Sequence, residues 1–180
     1  MKIAVTGASG HIGANLCREL IHQGHSVKAL IHRNDQGIKD FPLEFVKGDL
    51  MDPASLSSLV QGTEVVFHLA AVISIQVKKE LELFEKNVEG TKNIIKAAIE
   101  EGVRRFIHFS SIHALVQEPF DQTLDEDRAL ALEDKIQYSR SKALAELAVT
   151  DAVEGGLDAV ILNPTAVIGP FDYSPCLLYT

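Results

Sequence analysis

The chain has 180 residues, of which 46% are hydrophobic, and this is enough for one soluble globular domain with a buried core. Its formal charge of −8, without a long acidic or basic run, excludes an extended surface for nucleic acid or anionic membranes. Because we find neither a signal-peptide core nor an apolar run of membrane-spanning length, we predict a cytoplasmic protein.

Six short apolar, β-branched runs alternate with helix-like segments along the chain. They lie at residues 2–5, 26–31, 43–47, 64–69, 104–109 and 157–162. Asp52 and Pro53 have the pattern of an N-cap and a first helical residue, and a glycine follows four predicted helix ends, at Gly24, Gly62, Gly102 and Gly155. Alternating strands and helices form right-handed βαβ crossovers. We therefore predict an α/β fold, a Rossmann-type doubly wound parallel sheet in three αβα layers with strand order 3-2-1-4-5-6.

A glycine-rich segment connects the first predicted strand to the first helix. Gly7 can take the tight turn, Gly10 lets the backbone approach a pyrophosphate, and Gly13 lets the helix pack closely on the strand. Free N–H groups at a helix N-terminus bind phosphate, so we predict a dinucleotide site, the alternative being a turn that serves only the fold. The candidate cofactor-binding residues are Thr6, Gly7, Ser9, Gly10, His11, Ile12 and Gly13, with His11 as an exposed spacer beside the pyrophosphate.

The end of the second strand indicates which dinucleotide is bound. An acidic residue there usually holds the ribose 2′-OH of NAD, but this chain has His32 and Arg33 instead. Arginine can pair with a 2′-phosphate through a charge-assisted fork. The sequence therefore favours NADP(H), with NAD(H) as the alternative if Arg33 is only a solvated loop charge near Asp35.

Two ionisable side chains lie on a helix predicted to run from about residue 135 to 154. Tyr138 and Lys142 are four residues apart and so share one helical face. A neighbouring ammonium favours the phenolate, so we expect Lys142 to lower the pKa of Tyr138 and make it a proton relay. Without other motifs, Tyr138 and Lys142 would be interpreted as ordinary surface residues of a helix. The acidic stretch 116–134, which contains Pro119, is predicted to be a surface loop before this helix.

The spacing of Thr6-Gly-x-x-Gly-x-x-Gly together with Tyr138-x-x-x-Lys142 resembles the extended branch of the short-chain dehydrogenase/reductase superfamily, the NAD-dependent epimerase/dehydratase family. The resemblance covers essentially the whole chain. Further matching motifs occur in order at Gly48-Asp49-Leu50, His68-Leu69-Ala70-Ala71, Asn87, Ser110-Ser111 and residues 163–170. All of these apart from the helix residues follow a strand, at the edge where open α/β sheets bind ligands.

The resemblance implies roles for further cofactor-binding residues. Asp49 and Leu50 are expected to contact the adenine, although Asp49 could instead only cap or turn the chain. The dinucleotide path is expected to be lined by Leu69, Ala70 and Ala71, for which plain packing at the strand end is the alternative. Residues Pro164 to Val167 are expected to flank the nicotinamide, and Lys142 to hold the nicotinamide ribose.

The resemblance also implies a catalytic set of Ser111, Tyr138, Lys142 and Asn87. Ser111, rather than Ser110, is expected to share the substrate oxygen with Tyr138. Asn87 would support a water or the lysine, unless it is a helix side chain bonded to the backbone. His113 could touch substrate, but a lone histidine is more often structural.

Within this branch the strings at residues 29–33 and 68–74 are closest to dihydroflavonol-4-reductase-like and 3β-hydroxysteroid-dehydrogenase-like enzymes. We therefore expect an enzyme that transfers a hydride between a nicotinamide cofactor and a small carbonyl or alcohol substrate. The alternative is a sugar-nucleotide epimerase or dehydratase. A non-catalytic NADP-binding sensor ranks lower, because such regulators typically lack the Tyr-x-x-x-Lys pair.

The domain prediction is a dinucleotide-binding domain over residues 1–175 and a non-native tail at 176–180. By the resemblance, a C-terminal substrate region is missing, so we expect weak dinucleotide binding by this chain and an uncovered apolar face near the sixth strand. The full-length form could be a homodimer, and no nucleic-acid or membrane partner is expected. Two cysteines, Cys17 and Cys176, are too few for a disulfide framework or a metal site, and Cys17 is predicted to be buried in a helix.

Overall fold

A six-stranded parallel sheet forms the centre of the molecule. The computed structural model describes residues 1–32, 35–73 and 80–172. The strands are β1 (Lys2–Thr6), β2 (Ser26–Ile31), β3 (Glu44–Lys47), β4 (Val65–His68), β5 (Arg105–Phe109) and β6 (Ala159–Leu162). Their order is β3-β2-β1-β4-β5-β6 and every neighbouring pair is parallel. The predicted fold class and strand order are confirmed.

Helices cover both faces of the sheet. They are α1 (His11–His22), α2 (Pro53–Val60), α3 (Glu80–Phe84), α4 (Gly90–Glu101) and α5 (Gln137–Glu154). A π-helical turn (Glu85–Glu89) joins α3 to α4, and a single 3₁₀ turn (Ile112–Ala114) follows β5. Helix α1 packs on one face of the sheet, whereas α2, α4 and α5 pack on the other.

The two cores follow from the alternation of side chains along each strand. In β1, Ile3 and Val5 pack with Cys17 of α1, whereas Ala4 packs with Leu56 of α2 on the opposite face. Both faces are apolar, as strands covered by helices on both sides must be. Cys17 is fully buried as predicted, and burial raises the pKa of its thiol to about 12.

The N-terminus of α2 and the C-terminus of α5 can be compared with the capping residues predicted from the sequence. The Asp52 carboxylate accepts the Ala54 N–H at 3.1 Å, which confirms the predicted N-cap of α2. Helix α5 ends at Glu154 as expected, but its left-handed residue is Gly156 (φ 103°), because Gly155 keeps a helical conformation (φ −77°).

The acidic loop before α5 is anchored at both ends rather than free. Leu115 forms an antiparallel bridge with Leu130, and the Ala131 N–H donates to the Ala114 carbonyl at 2.8 Å. Ala114 and Ala131 then pack on Ala143 of α5. The predicted surface loop thus returns to the start of the helix that carries Tyr138.

The edge strand β6 has an exposed apolar face. Val160 and Leu162 are 37% and 40% exposed. Val160 is paired with Ile107, which packs on the α1 side of the sheet. This is the uncovered face that the sequence led us to expect near the sixth strand.

Candidate cofactor-binding and catalytic site

The turn after β1 brings two segments of backbone so close together that only glycine fits. Gly7 has a φ of +70°, and a Cβ there would lie 2.6 Å from the Ala70 nitrogen. A Cβ on Gly13 would lie 2.1 Å from the Gly7 carbonyl oxygen. These contacts agree with the tight turn predicted for Gly7 and the close helix packing predicted for Gly13.

Gly10 has a different environment, which suits a ligand. It is the N-cap of α1 and supplies no side-chain cap to the first helical turn. A Cβ at Gly10 would meet only one atom within 4 Å, the Gly7 carbonyl oxygen at 3.3 Å. Packing within the chain therefore requires glycine less strictly here than at Gly7 or Gly13. The N–H groups of the first helical turn and the positive end of the helix dipole are suited to a pyrophosphate.

A cavity of about 470 Å³ lies at the carboxyl ends of β1 to β4, beside this helix N-terminus. Seven of the predicted cofactor-binding residues line it: Gly7, Ser9, His32, Asp49, Leu50, Ala70 and Ala71. Leu69 packs instead with the α1 side of the sheet, because neighbouring residues point to opposite faces. Lys86 also lines the cavity, and the sequence analysis missed it; its place directly before Asn87 was the available signal.

Asp49 supplies a carboxylate to the cavity. Its Oδ1 accepts the Met51 N–H at 2.8 Å and the Lys86 ammonium at 2.5 Å, and Oδ2 lies 3.3 Å from Nδ1 of His32. Burial favours the neutral carboxyl group, but the hydrogen bonds and the nearby positive charges outweigh it and lower the pKa of Asp49. Asp49 therefore both makes the local turn and presents an ionised carboxylate to the cavity.

The segment after β6 returns to the glycine loop. The Pro170 carbonyl accepts hydrogen bonds from His11 Nε2 at 3.1 Å and Asn15 Nδ2 at 2.9 Å, and the Arg18 guanidinium lies 3.6 Å from the centroid of the Phe171 ring. His11 was expected to be a simple exposed spacer. It is partly buried and bonded, because the chain crosses over it.

Other predicted cofactor contacts vary in their placement. The Pro164 carbonyl accepts the Ile112 N–H at 3.2 Å, which holds this segment beside the end of β5, whereas Val167 is 47% exposed. Thr6 is fully buried. Arg33 lies outside the described residues, as do Cys176 and the predicted tail.

Tyr138, Ser111 and Lys142 meet at the carboxyl end of β5. Tyr138 is on the first turn of α5 and hydrogen bonds with Ser111, which directly follows β5. Lys142 is one turn further along α5, is 3% exposed, and donates from Nζ to the Phe109 carbonyl at 2.7 Å. The structure therefore brings together three of the four predicted catalytic residues.

The electrostatics of this group differ from the prediction. The pKa of Tyr138 is raised, because burial disfavours the phenolate more strongly than the hydrogen bond with Ser111 favours it. Burial also lowers the pKa of Lys142 to about 8, against the opposing charge of Glu146. The expectation that Lys142 lowers the pKa of Tyr138 is wrong here, because the ammonium is directed at the Phe109 carbonyl.

Ser110 is committed to a buried carboxylate that the sequence analysis did not single out. Its hydroxyl donates to Oε2 of Glu146 at 2.5 Å, and the amide of Asn163 donates to the same oxygen at 2.9 Å. These contacts tie the ends of β5 and β6 to α5. They favour Ser111 over Ser110 as the substrate contact. The signal for Glu146 was its spacing, since it lies one turn beyond Lys142.

Asn87 has the contacts of a positioning residue. Its Nδ2 donates to the Val72 carbonyl and to the Ser141 hydroxyl, both at 3.0 Å, and its Oδ1 accepts the Val72 N–H at 2.7 Å. Ser141 in turn donates to the Tyr138 carbonyl at 2.8 Å. Two of these three bonds go to the Val72 backbone, as in the alternative of a helix side chain bonded to backbone, and the catalytic role of Asn87 stays a prediction. His113 is exposed and lies edge-on to the Tyr138 ring, with 6.3 Å between centroids.

A buried histidine links the glycine loop to the Asn87 turn. His68 Nδ1 is 2.7 Å from the Thr6 hydroxyl and Nε2 is 2.9 Å from the Thr91 hydroxyl, which itself donates to the Asn87 carbonyl at 2.6 Å. Since Thr91 uses its proton on Asn87, Nε2 of His68 donates to Thr91. Burial, with the charge of Lys142, lowers the pKa of His68 to about 3, so the ring is neutral and its Nδ1 accepts from the Thr6 hydroxyl.

This shift predicts acid sensitivity. Folded His68 stays neutral down to about pH 3, whereas the unfolded residue takes up a proton near its ordinary pKa of 6.5, so lowering the pH within that window favours unfolding. We expect His68 to contribute a loss on the order of 2 kcal/mol between pH 7 and pH 5. Urea unfolding should show a shallower pH dependence for His68→Gln than for the wild type. The exposed control His22→Gln should keep the wild-type slope, and equal slopes for all three proteins would contradict the assignment.

Within the described residues, no cluster of three or more His, Cys, Asp or Glu side chains could hold a metal ion. The same part of the chain contains no helix with the length and apolar character needed to cross a membrane.

Known proteins share both the sequence pattern and the fold. The model of the NAD dependent epimerase/dehydratase family matches residues 3–176. Sterol demethylase protein B of Methylococcus capsulatus is 37% identical over 180 residues, covering 99% of this chain and 55% of that protein. The putative dihydroflavonol 4-reductase of Synechocystis is 37% identical over 174 residues, covering 95% of this chain and 50% of that protein.

A solved structure is similar over most of the chain. A short-chain dehydrogenase/reductase superfamily protein of Agrobacterium tumefaciens, with bound NAD, superposes with a TM-score of 0.77 at 30% identity, covering 91% of this chain and 48% of that one. The chain spans about half the length of the curated relatives it matches.

Proposed function

The chain belongs to the NAD dependent epimerase/dehydratase family. On that premise we propose that it is the cofactor-binding part of an oxidoreductase that acts on a small carbonyl or alcohol substrate. The observation that carries this proposal is the meeting of Tyr138, Ser111 and Lys142 at the end of β5. They share the carboxyl edge of the sheet with the glycine loop, so a dinucleotide extended from α1 would reach them.

The residues present fit a nicotinamide dinucleotide. The glycine loop and the N-terminus of α1 would hold its pyrophosphate, and the cavity containing Asp49 would hold its adenosine. When bound, the nicotinamide supplies or accepts the hydride. This division leaves the substrate oxygen to the side chains at the end of β5.

Tyr138 is suited to act as the acid. Its phenol carries a proton at neutral pH, since its pKa is raised from an already basic value, and it can donate this proton to a carbonyl oxygen as negative charge develops there. The Ser111 hydroxyl, bonded to Tyr138, supplies a second donor for the same oxygen.

The similarity to a protein named as a putative dihydroflavonol 4-reductase supports a reductase. The family name keeps a sugar-nucleotide epimerase or dehydratase as the second candidate. Cofactor stoichiometry distinguishes them: a reductase consumes one reduced dinucleotide for each product, whereas an epimerase or dehydratase shows no net consumption. A screen of ketones, aldehydes and nucleotide sugars, followed by nicotinamide absorbance and by product analysis, tests the proposal.

For cofactor choice we propose NADP(H). His32 is half exposed at the end of β2 and lines the cavity, so Asp at this position would accept the ribose 2′-OH of NAD and repel a 2′-phosphate. We expect His32→Asp to shift the ratio of NADPH to NADH dissociation constants about tenfold or more towards NADH. Calorimetric titration measures both constants, and His22→Asp, at the exposed end of α1, is the control. Tighter binding of NADH than NADPH by the wild type would overturn the proposal.

A further inference from the structure

The two oxygens of the Asp49 carboxylate have unequal surroundings. Oδ1 accepts hydrogen bonds from the Met51 N–H and the Lys86 ammonium, whereas among the residues that the structure describes Oδ2 has only His32 near it, at 3.3 Å. The side chains of Asp49 and Lys86 are 22% and 24% exposed, so the pair lies at the cavity wall and not on the open surface. One oxygen thus remains able to accept a further hydrogen bond.

Lys86 is held in place by the turn on which it lies. It belongs to the π-helical turn, and its neighbour Asn87 is fixed by two hydrogen bonds to the Val72 backbone and one to Ser141. Near the start of α4, Asn93 donates to the Leu50 carbonyl at 3.0 Å. The backbone around Lys86 therefore stays at a fixed distance from the segment that contains Asp49.

An ionised carboxylate can only accept hydrogen bonds, and this gives the cavity a chemical preference. A purine with a 6-amino group presents a donor, whereas a 6-oxopurine presents an acceptor at the same position. We propose that Lys86 is a positioning residue that holds Oδ1 of Asp49 and leaves Oδ2 to the base, so that the cavity selects 6-aminopurine dinucleotides over 6-oxopurine dinucleotides. The inference rests on the proposed function, because it assumes that this cavity holds the purine of a dinucleotide.

A direct contact between Lys86 and a phosphate is the competing explanation. Such a contact would add affinity without regard to the base, because both dinucleotides carry the same phosphates. Positioning of Asp49 acts on the base alone. The ratio of the two affinities therefore distinguishes the roles, whereas a single affinity does not.

The test is to titrate the chain by calorimetry with NADPH and with its deamino analogue, which carries hypoxanthine in place of adenine. We expect the wild type to bind NADPH about tenfold more tightly than the analogue. Lys86→Met should reduce this ratio of affinities at least threefold, whereas Lys86→Arg, which keeps the positive charge, should retain most of the wild-type ratio. Asp49→Asn should abolish the preference, because an amide offers both a donor and an acceptor.

Lys92→Met is the matched control, because it removes the same charge from an exposed ion pair with Glu89 nearby, outside the cavity. It should leave the ratio unchanged. Equal binding of both dinucleotides by the wild type, or an equal loss of both in Lys86→Met, would overturn the inference while leaving the proposed function intact. Failure of the wild type to bind either dinucleotide would overturn the proposed function, and this inference with it.

Discussion

Replacing Tyr138 with phenylalanine should lower kcat by about 10²–10⁴-fold, the usual effect of a positioned acid. The phenol hydrogen bonds with Ser111 at the end of β5, away from the glycine loop, so the dissociation constant for NADPH should change by less than about twofold. Steady-state kinetics with the best substrate, together with cofactor titration, measures both quantities. A variant that keeps more than a tenth of the wild-type kcat would refute the role of Tyr138.

The neighbouring serines provide a matched control. Ser111→Ala should lower kcat as Tyr138→Phe does, though less, because it removes the second donor to the substrate oxygen. Ser110→Ala should act mainly on stability, since the Ser110 hydroxyl is bonded to the buried Glu146. If Ser110→Ala lowered kcat more than Ser111→Ala at equal stability, the assignment of the two serines would have to be exchanged.

Gly7→Ala should destabilise the chain by about 2–4 kcal/mol and remove measurable dinucleotide binding. The added Cβ would lie 2.6 Å from the Ala70 nitrogen and 2.8 Å from the Leu69 carbonyl carbon, so the backbone that follows β1 or β4 would have to shift. Urea unfolding gives the change in stability, and calorimetric titration gives the loss of affinity.

Gly102→Ala separates this collision from the cost of the backbone conformation. Gly102 has nearly the same φ, +71° against +70°, but a Cβ there would meet nothing within 4 Å. It should therefore cost only about 1–2 kcal/mol, the penalty for a left-handed alanine. Equal losses in the two variants would show that the contact with Ala70 carries no energetic weight.

The sheet could be predicted from sequence because its signals are local. Strands such as β1 and β4 are apolar on both faces, and the glycine motif directly follows the first strand, so order and topology follow from pattern and handedness. The placement of Tyr138 and Ser111 was predictable for the same reason, since the carboxyl ends of parallel strands share one edge.

The finer features of the site depend on contacts between distant segments. The π-helical turn that directs Lys86 at Asp49 and Asn87 at Ser141 has no signature in residue spacing. The pKa of Tyr138 was expected to fall, yet it rises, because burial depends on how α5 packs and not on the four-residue spacing to Lys142. The partners of Glu146 likewise depend on where β5 and β6 end.

The position of β1 at the middle of the sheet determines when the glycine loop can form during synthesis. β2 is the first partner of β1 to leave the ribosome, but the other edge of β1 stays open until β4 emerges, since Ile3 pairs with Val65. Gly7 also packs on the Ala70 backbone, which follows β4. A nascent chain that has not yet exposed Ala70 therefore has no completed glycine loop, and the proposed dinucleotide could bind there only after the fourth strand has emerged.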